Sequence, residues 1–205
     1  MANKRDILIT DKFYHIYNHS NGNENLFIEK NDYILFLKKF ETYATPYFDI
    51  YCYCLMPNHF HFLVKVKSIN DLKTNGYNDS ENIHNFLSHK MGSFFNSYTK
   101  SYNIKYNRKG SLFNQSFHRI TIDTEIYLRK LVLYIHFNPV KHGFVAKFEE
   151  WVFSSFKNIY NNPKQKNEYD IVIDWFGDKE NYMFCHLKDS DLDDEYKLEI
   201  LVNQP

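Results

Sequence analysis

The feature that most restricts the fold is the run His59-Phe60-His61-Phe62-Leu63-Val64-Lys65-Val66-Lys67. Successive side chains of a strand point to opposite faces. A period of two therefore puts Phe60, Phe62, Val64 and Val66 on one face and His59, His61, Leu63, Lys65 and Lys67 on the other. Residues 48–55 make a second run of strand character, separated from the first only by Met56, Pro57 and Asn58. Proline cannot donate to a strand ladder, so it marks the break between two adjacent strands.

The rest of the chain supplies partners for this pair. Residues 12–19 (KFYHIYNH) alternate like a strand and run into turn-forming residues 18–24 (NHSNGNE). Over residues 29–43, Tyr33, Phe36, Leu37 and Phe40 fall at helical spacing. A second long helix is expected over 83–102 from Phe86, Leu87, Phe94, Phe95 and Tyr98. Residues 68–80 are polar and read as a loop, 103–110 (NIKYNRKG) as a basic turn, and the end of 111–122 as another strand. A third helix spans 123–137 with Thr124 near its N-cap. It should stop before Pro139, because the residue preceding a proline is pushed out of helical geometry. Strands alternating with helices in this order predict an α+β fold, an antiparallel sheet with helices over one face.

A chain of 205 residues that is 43% hydrophobic suits one compact domain. No run approaches the roughly 18 apolar residues of a membrane span, and residues 1–11 lack the apolar core of a signal peptide. The expectation is a soluble cytoplasmic protein with no membrane partner. Cys52, Cys54 and Cys185 include no second pair to complete a zinc site and read as buried, reduced thiols. The formal net charge is zero, but residues 1–165 hold 21 Lys and Arg against 14 Asp and Glu, whereas residues 166–205 hold 4 against 11. A basic body with an acidic tail suits phosphate binding by the body, and an uneven solvated surface would look the same. The 17 Tyr and 19 Phe exceed what most cores of this size use, which suggests exposed rings able to stack on unpaired bases. A compositional bias toward such residues explains the surplus equally well.

His59 and His61 stand side by side about 7 Å apart at the backbone, near enough to hold one cation. Two polar residues on a wet sheet face would read the same way. Tyr134 and Asn138 are one helical turn apart and face the same side, although the stripe Tyr127, Leu131, Tyr134 would equally make Tyr134 a core aromatic.

Five stretches resemble one family. Leu55-Met56-Pro57-Asn58-His59-Phe60-His61-Phe62-Leu63-Val64 is similar to the His-hydrophobe-His motif of the small insertion-sequence transposases, and particularly of the REP-associated tyrosine transposases. Tyr14-His15-Ile16-Tyr17-Asn18 resembles their opening strand. Gly110-Ser111-Leu112-Phe113-Asn114-Gln115-Ser116-Phe117 resembles a G-x-L-F/W-x-x-x-F/Y segment, and Tyr134-Ile135-His136-Phe137-Asn138-Pro139-Val140-Lys141 the tyrosine helix and its end. Trp151-Val152-Phe153-Ser154-Ser155 is similar to a segment that follows in the REP-associated branch. All five come in the family's order over residues 12–156.

The resemblance implies a ferredoxin-like fold of the HUH endonuclease type, with residues 1–160 as the catalytic domain and 161–205 as an acidic C-terminal extension. It implies that His59, His61 and Asn138 bind Mg²⁺ or Mn²⁺ and that Tyr134 is the nucleophile. The substrate would be single-stranded DNA bearing a hairpin, nicked and rejoined through a 5′-phosphotyrosine. Lys105, Arg108, Lys109, Arg119 and Lys141 are the candidates for contacts to the DNA backbone. Insertion-sequence members act as interlocked dimers and REP-associated members can act alone, so a homodimer stays open. So do a domesticated repeat-processing endonuclease, a catalytically inactive DNA-binding protein of the same fold, and a hydrolytic zinc enzyme.

Overall fold

The computed structural model describes residues 5–114 and 116–188; Gln115 of the G-x-L-F segment and residues 189–205 of the acidic extension lie outside the described residues. Along the chain come β1 (Phe13–His19), α1 (Lys30–Tyr43), β2 (Phe48–Met56), β3 (His59–Val66), α2 (Ile69–Thr74), α3 (Ile83–Lys105), β4 (His118–Ile122), α4 (Glu125–Lys141), α5 (Phe156–Asn161), α6 (Asn167–Phe176) and α7 (Lys179–Lys188). The strands form a sheet in the order β2-β3-β1-β4, with every neighbouring pair antiparallel. β2 and β3 are the tight pair expected from the Pro57 turn. The connections through α1 and α3 each skip one strand, which gives the ferredoxin-like topology.

One sheet face carries an aromatic core. Tyr14 and Ile16 of β1 and Phe60, Phe62, Val64 and Val66 of β3 meet Phe36 and Phe40 of α1 and Phe94 and Tyr98 of α3, all buried. Phe40 stacks on Phe62 with ring centroids 4.4 Å apart, and Phe36 meets Phe94 edge-on at 4.9 Å. Burial of each such ring contributes roughly 1.5–3 kcal/mol. An ion-pair cluster ties the two helices at their ends. Asp32 accepts from the Ile28 and Glu29 amides at 2.8 and 3.0 Å, and it also receives Lys105 Nζ at 2.6 Å and the Tyr106 hydroxyl at 2.7 Å.

The expectation of helices over one face is corrected: both faces are covered. Tyr51, Cys52, Cys54 and Leu63 pack against Leu131, Val132 and Ile135 of α4 and Val172, Ile173 and Phe176 of α6. The polar set on β3 made this face look wet, but Leu63 and the apolar residues of β2 share it. Lys65 and Lys67 lie at the far end of the strand, where they pair with Asp11 at 3.7 Å and Asp49 at 3.0 Å. Tyr169 and Tyr182 of α6 and α7 belong to the same buried cluster as α4. Cys52 and Cys54 are buried free thiols within it, and Cys185 is a half-buried one.

Three local expectations also change. α4 runs through Pro139 to Lys141 instead of ending before it. A proline in the last turn forfeits one helical hydrogen bond, and the His142 amide still closes on the Asn138 carbonyl at 3.0 Å. Residues 69–74 form a short helix, not a loop, because the Ser68 side chain caps it by accepting from the Asp71 amide. Finally, the aromatic surplus is interior: Tyr43, Phe144 and Phe184 are the exposed aromatic residues among those described. No described helix is long and apolar enough to cross a membrane.

Candidate active site

Strand alternation and one helix build the site. On β3, His59 and His61 point to the α4 side of the sheet, both buried, with rings perpendicular at 5.3 Å. Neighbouring β1 contributes His15, Tyr17 and His19 to the same face, in register with Leu63, His61 and His59. α4 is capped by Thr124, whose side chain accepts from the Tyr127 amide, and crosses this face so that Tyr134 and Asn138 approach the histidines. The Tyr134 ring stands edge-on to His61 at 5.5 Å and to His15 at 6.1 Å. Asn138 is fully buried, and its Oδ1 lies 3.3 Å from His59 Nε2.

The hydrogen bonds show which atoms are free to hold a ligand. Both His59 nitrogens face an amide oxygen, Nδ1 that of Asn58 at 2.7 Å and Nε2 that of Asn138 at 3.3 Å; a neutral ring has one N–H, and the shorter contact takes it. Nε2 therefore carries a lone pair. Asn138 donates its Nδ2 to the Tyr134 carbonyl at 3.5 Å, which leaves Oδ1 turned toward that lone pair. Two acceptors facing each other at 3.3 Å suit a cation between them. Donors side by side on an octahedral cation, with bonds of about 2.1 Å, stand about 3.0 Å apart. His61 Nδ1 is engaged with His15 Nε2 at 2.9 Å, which leaves the other His61 nitrogen for a ligand. Burial, reinforced by the nearby His19, pulls the His59 pKa down to about 3. Burial and the adjacent His15 hold His61 well below the usual imidazole value. Both rings are neutral at pH 7, as metal ligation requires.

Tyr134 is half-buried with its hydroxyl oxygen covered, and that hydroxyl has no hydrogen-bond partner among the described residues. Burial pushes its pKa up to about 12, while the nearby Asn138 amide pulls the other way without forming a hydrogen bond to the hydroxyl. A buried hydroxyl left without a partner is rare in a relaxed core and is frequent where a ligand completes it.

No family model matches the chain, and no curated protein matches it. A solved structure of a REP-associated tyrosine transposase bound to a REP hairpin superposes with a TM-score of 0.56, covering 82% of this chain and 90% of that chain at 19% identity. The chain has the fold of a REP-associated tyrosine transposase.

On this transposase fold the five basic candidates part company. Lys141 Nζ sits over the Tyr134 ring at 5.5 Å and is the one placed at the histidine face. Lys105 pairs with Glu29 and Asp32, and Arg108 is clamped to Glu24 while donating to the Gly110 and Ser111 carbonyls. Both charges serve the junction of α1, α3 and the following turn. Arg119 pairs in register with Ile16, so it faces the opposite side of the sheet, buried, donating to the Asp6 carbonyl at 2.6 Å. Lys109 is exposed on the turn after α3.

Four other histidines share this face; the sequence suggested a structural or phosphate-contact role for His142 and none for the other three. His15 orients His61, and His19 stacks on His59 at 4.9 Å. His142, just past α4, meets His59 at 4.9 Å, and His118 stacks on Tyr17 at 4.9 Å. The signal for the first two was present: His15, Tyr17 and His19 occupy alternate positions of one strand. His136 turns away from the site, as its spacing from Tyr134 implies. Fully buried, it contacts Cys52 Sγ, Ser155 Oγ and His186 Nε2 at 3.2, 3.0 and 2.9 Å, and so fastens the back of α4 to β2 and α7.

Proposed function

We propose that the protein nicks and rejoins single-stranded DNA beside hairpins through a covalent bond between Tyr134 and a 5′-phosphate. The observation that carries this reading is the convergence of Tyr134, Asn138, His59 and His61, from two separate elements, on one buried point. Among the described residues no three His, Cys, Asp or Glu side chains are placed to hold a metal ion, so the third protein donor in this reading is the Asn138 amide. His59, His61 and Asn138 would hold Mg²⁺ or Mn²⁺. When bound, such an ion neutralises phosphate charge and makes a phenol competent to attack near neutral pH.

The chain's own residues do the rest. Three uncharged donors leave the ion its full charge toward phosphate oxygens. His15 and Asn58 fix the orientations of His61 and His59, so no ring must turn when substrate arrives. α4 holds the Tyr134 oxygen beside that point, and Lys141 adds positive charge next to the ring. The phenol proton leaves to solvent as the oxygen bonds to phosphorus. The bond from phosphorus to the 3′-oxygen breaks, and that oxygen takes up a proton as a free 3′-hydroxyl. Attack by a 3′-hydroxyl on the phosphotyrosine reverses the sequence and reseals DNA without ATP. The transposase of the same fold is bound to a hairpin, which supports hairpin DNA as the partner here.

Purified protein incubated with hairpin-bearing single-stranded DNA and Mn²⁺ should give a protein–DNA adduct that survives denaturation, and Tyr134→Phe should give none. An equal adduct with Tyr134→Phe would remove Tyr134 as the nucleophile. Cleavage with no adduct in either protein would point instead to a hydrolytic zinc enzyme.

A further inference from the structure

The G-x-L-F segment and Arg119 have no part in the chemistry at Tyr134, yet the structure gives them a shared place. On the opposite side of the sheet from the histidines, a cavity of about 810 Å³ opens between α3 and residues 110–113 and 116–119. Phe95 of α3 and Phe113 and Phe117 of the segment line it, with ring centroids 4.9 and 5.7 Å from Phe95. Its size suits one nucleotide.

Two polar groups in this cavity are incompletely matched by the protein. Asn18 of β1 is 1% exposed and lines the cavity, and its Nδ2 has no hydrogen-bond partner among the described residues. The amide is not free to flip. Its Oδ1 accepts from the His19 amide at 2.9 Å, so the NH₂ is the end presented to the cavity. Arg119 is buried with its guanidinium 5.0 Å over the Phe117 ring; its partners are the Asp6 carbonyl and the His84 ring at 3.3 Å, both uncharged. No carboxylate among the described residues forms an ion pair with it. Asp6 acts on that guanidinium only at longer range, against the like charge of Arg5, and a buried donor without an acceptor is costly unless a ligand supplies what is missing.

We infer that this cavity receives one unpaired nucleotide of the DNA strand, its base against the phenylalanines and Asn18, its phosphate toward Arg119. The assignment rests on the proposed DNA-processing function and adds a second contact point to it. Asn18 offers donors only, so the pocket should favour a base edge that presents acceptors, such as O6 and N7 of guanine or the carbonyls of thymine. Phenylalanine faces accept any base and add affinity without choice. Because alternate residues of β1 point to opposite faces, Asn18 and His19, whose ring stacks on His59, stand back to back on one strand. A base seated on Asn18 would hold the strand in register with the reacting phosphate.

Gly92 of α3 gives a clean way to close the cavity. It lines the cavity, and a Cβ built there meets nothing within 4 Å. Gly92→Leu should therefore fold at least as well, since leucine is the better helix former. The test is selection, in EDTA to prevent cleavage, from a library of DNA hairpins with randomised unpaired flanks, using wild type, Gly92→Leu and Asn18→Asp. Wild type should show a base preference at one flank position, and Gly92→Leu should lose it with affinity about tenfold lower. Asn18→Asp, which offers acceptors only, should shift the preference at that same position toward adenine or cytosine, whose amino groups donate. If all three proteins select the same flanks with the same affinity while wild type still forms its adduct with Mn²⁺, the nucleotide pocket is wrong and the function stands. If wild type selects nothing and forms no adduct, both fall together.

Discussion

Tyr134→Phe should make the protein more stable while abolishing the adduct. The substitution removes one oxygen and keeps the ring contacts to His61 and His15. That oxygen is covered and has no partner among the described residues, so the folded state lacks the hydrogen bonds that water gives it in the unfolded chain. Leaving a buried hydroxyl unsatisfied costs about 1–3 kcal/mol. Some of this returns as slight repacking, so a gain of about 1 kcal/mol is expected without divalent cation. For a chain of this size that is a rise of about 2–4 °C in Tm. Urea unfolding in EDTA, with midpoint and slope compared between the two proteins, measures it. The slope should not change, because the surface buried is the same. A variant less stable than wild type by 1 kcal/mol or more would mean that the hydroxyl is a satisfied structural group, and the argument that it awaits a ligand would be refuted.

Three other substitutions separate structural charges from DNA-facing ones. Asp32→Ala should destabilise the fold by about 2 kcal/mol, less than a fully buried pair because the Lys105 ammonium is partly in water. Burial alone would raise the Asp32 pKa, but Lys105, the Glu29 and Ile28 amides and Tyr106 together lower it. A folded-state value below the unfolded one, about 3.9, means the contribution is complete above about pH 4 and is lost as pH falls through the folded value. The stability difference between wild type and Asp32→Ala should thus shrink in acid urea titrations; a difference that grows would reverse the assignment. Lys141→Ala should weaken DNA binding and reduce the slope of log affinity against log salt by about one, whereas Arg108→Ala should lower stability and leave that slope unchanged. Equal slopes for Lys141→Ala and wild type would remove Lys141 from the DNA surface.

Much of the fold was readable because its strands obey a period of two. The alternation in residues 59–67 marked one apolar and one histidine-bearing face, and Pro57 marked the turn between β2 and β3. What could not be read was the second layer. Its stripes lie on short helices late in the chain, such as Val172, Ile173 and Phe176, and they only make sense once Leu63 and Cys52 are known to need cover. Propensity also overstated Pro139, because a break is costly in the middle of a helix and cheap in its last turn. At the site, the spacing of Tyr134 and Asn138 and of His59 and His61 was visible as two separate pairs. That the pairs face each other is a property of how α4 crosses the sheet, which no local pattern encodes. Basic character alone could not show that Lys105 and Arg108 stand opposite Asp32 and Glu24.

Pulsed electron paramagnetic resonance of bound Mn²⁺ examines the centre of the account, the meeting of two imidazoles and an amide on one ion. Wild type should show ¹⁴N couplings from two directly bound imidazoles, His59→Ala should show one, and Asn138→Ala should keep both couplings with weaker binding. A Mn²⁺ signal without imidazole nitrogen coupling, or one that His59→Ala leaves unaltered, would mean that the ion binds elsewhere and that the histidine pair holds no metal.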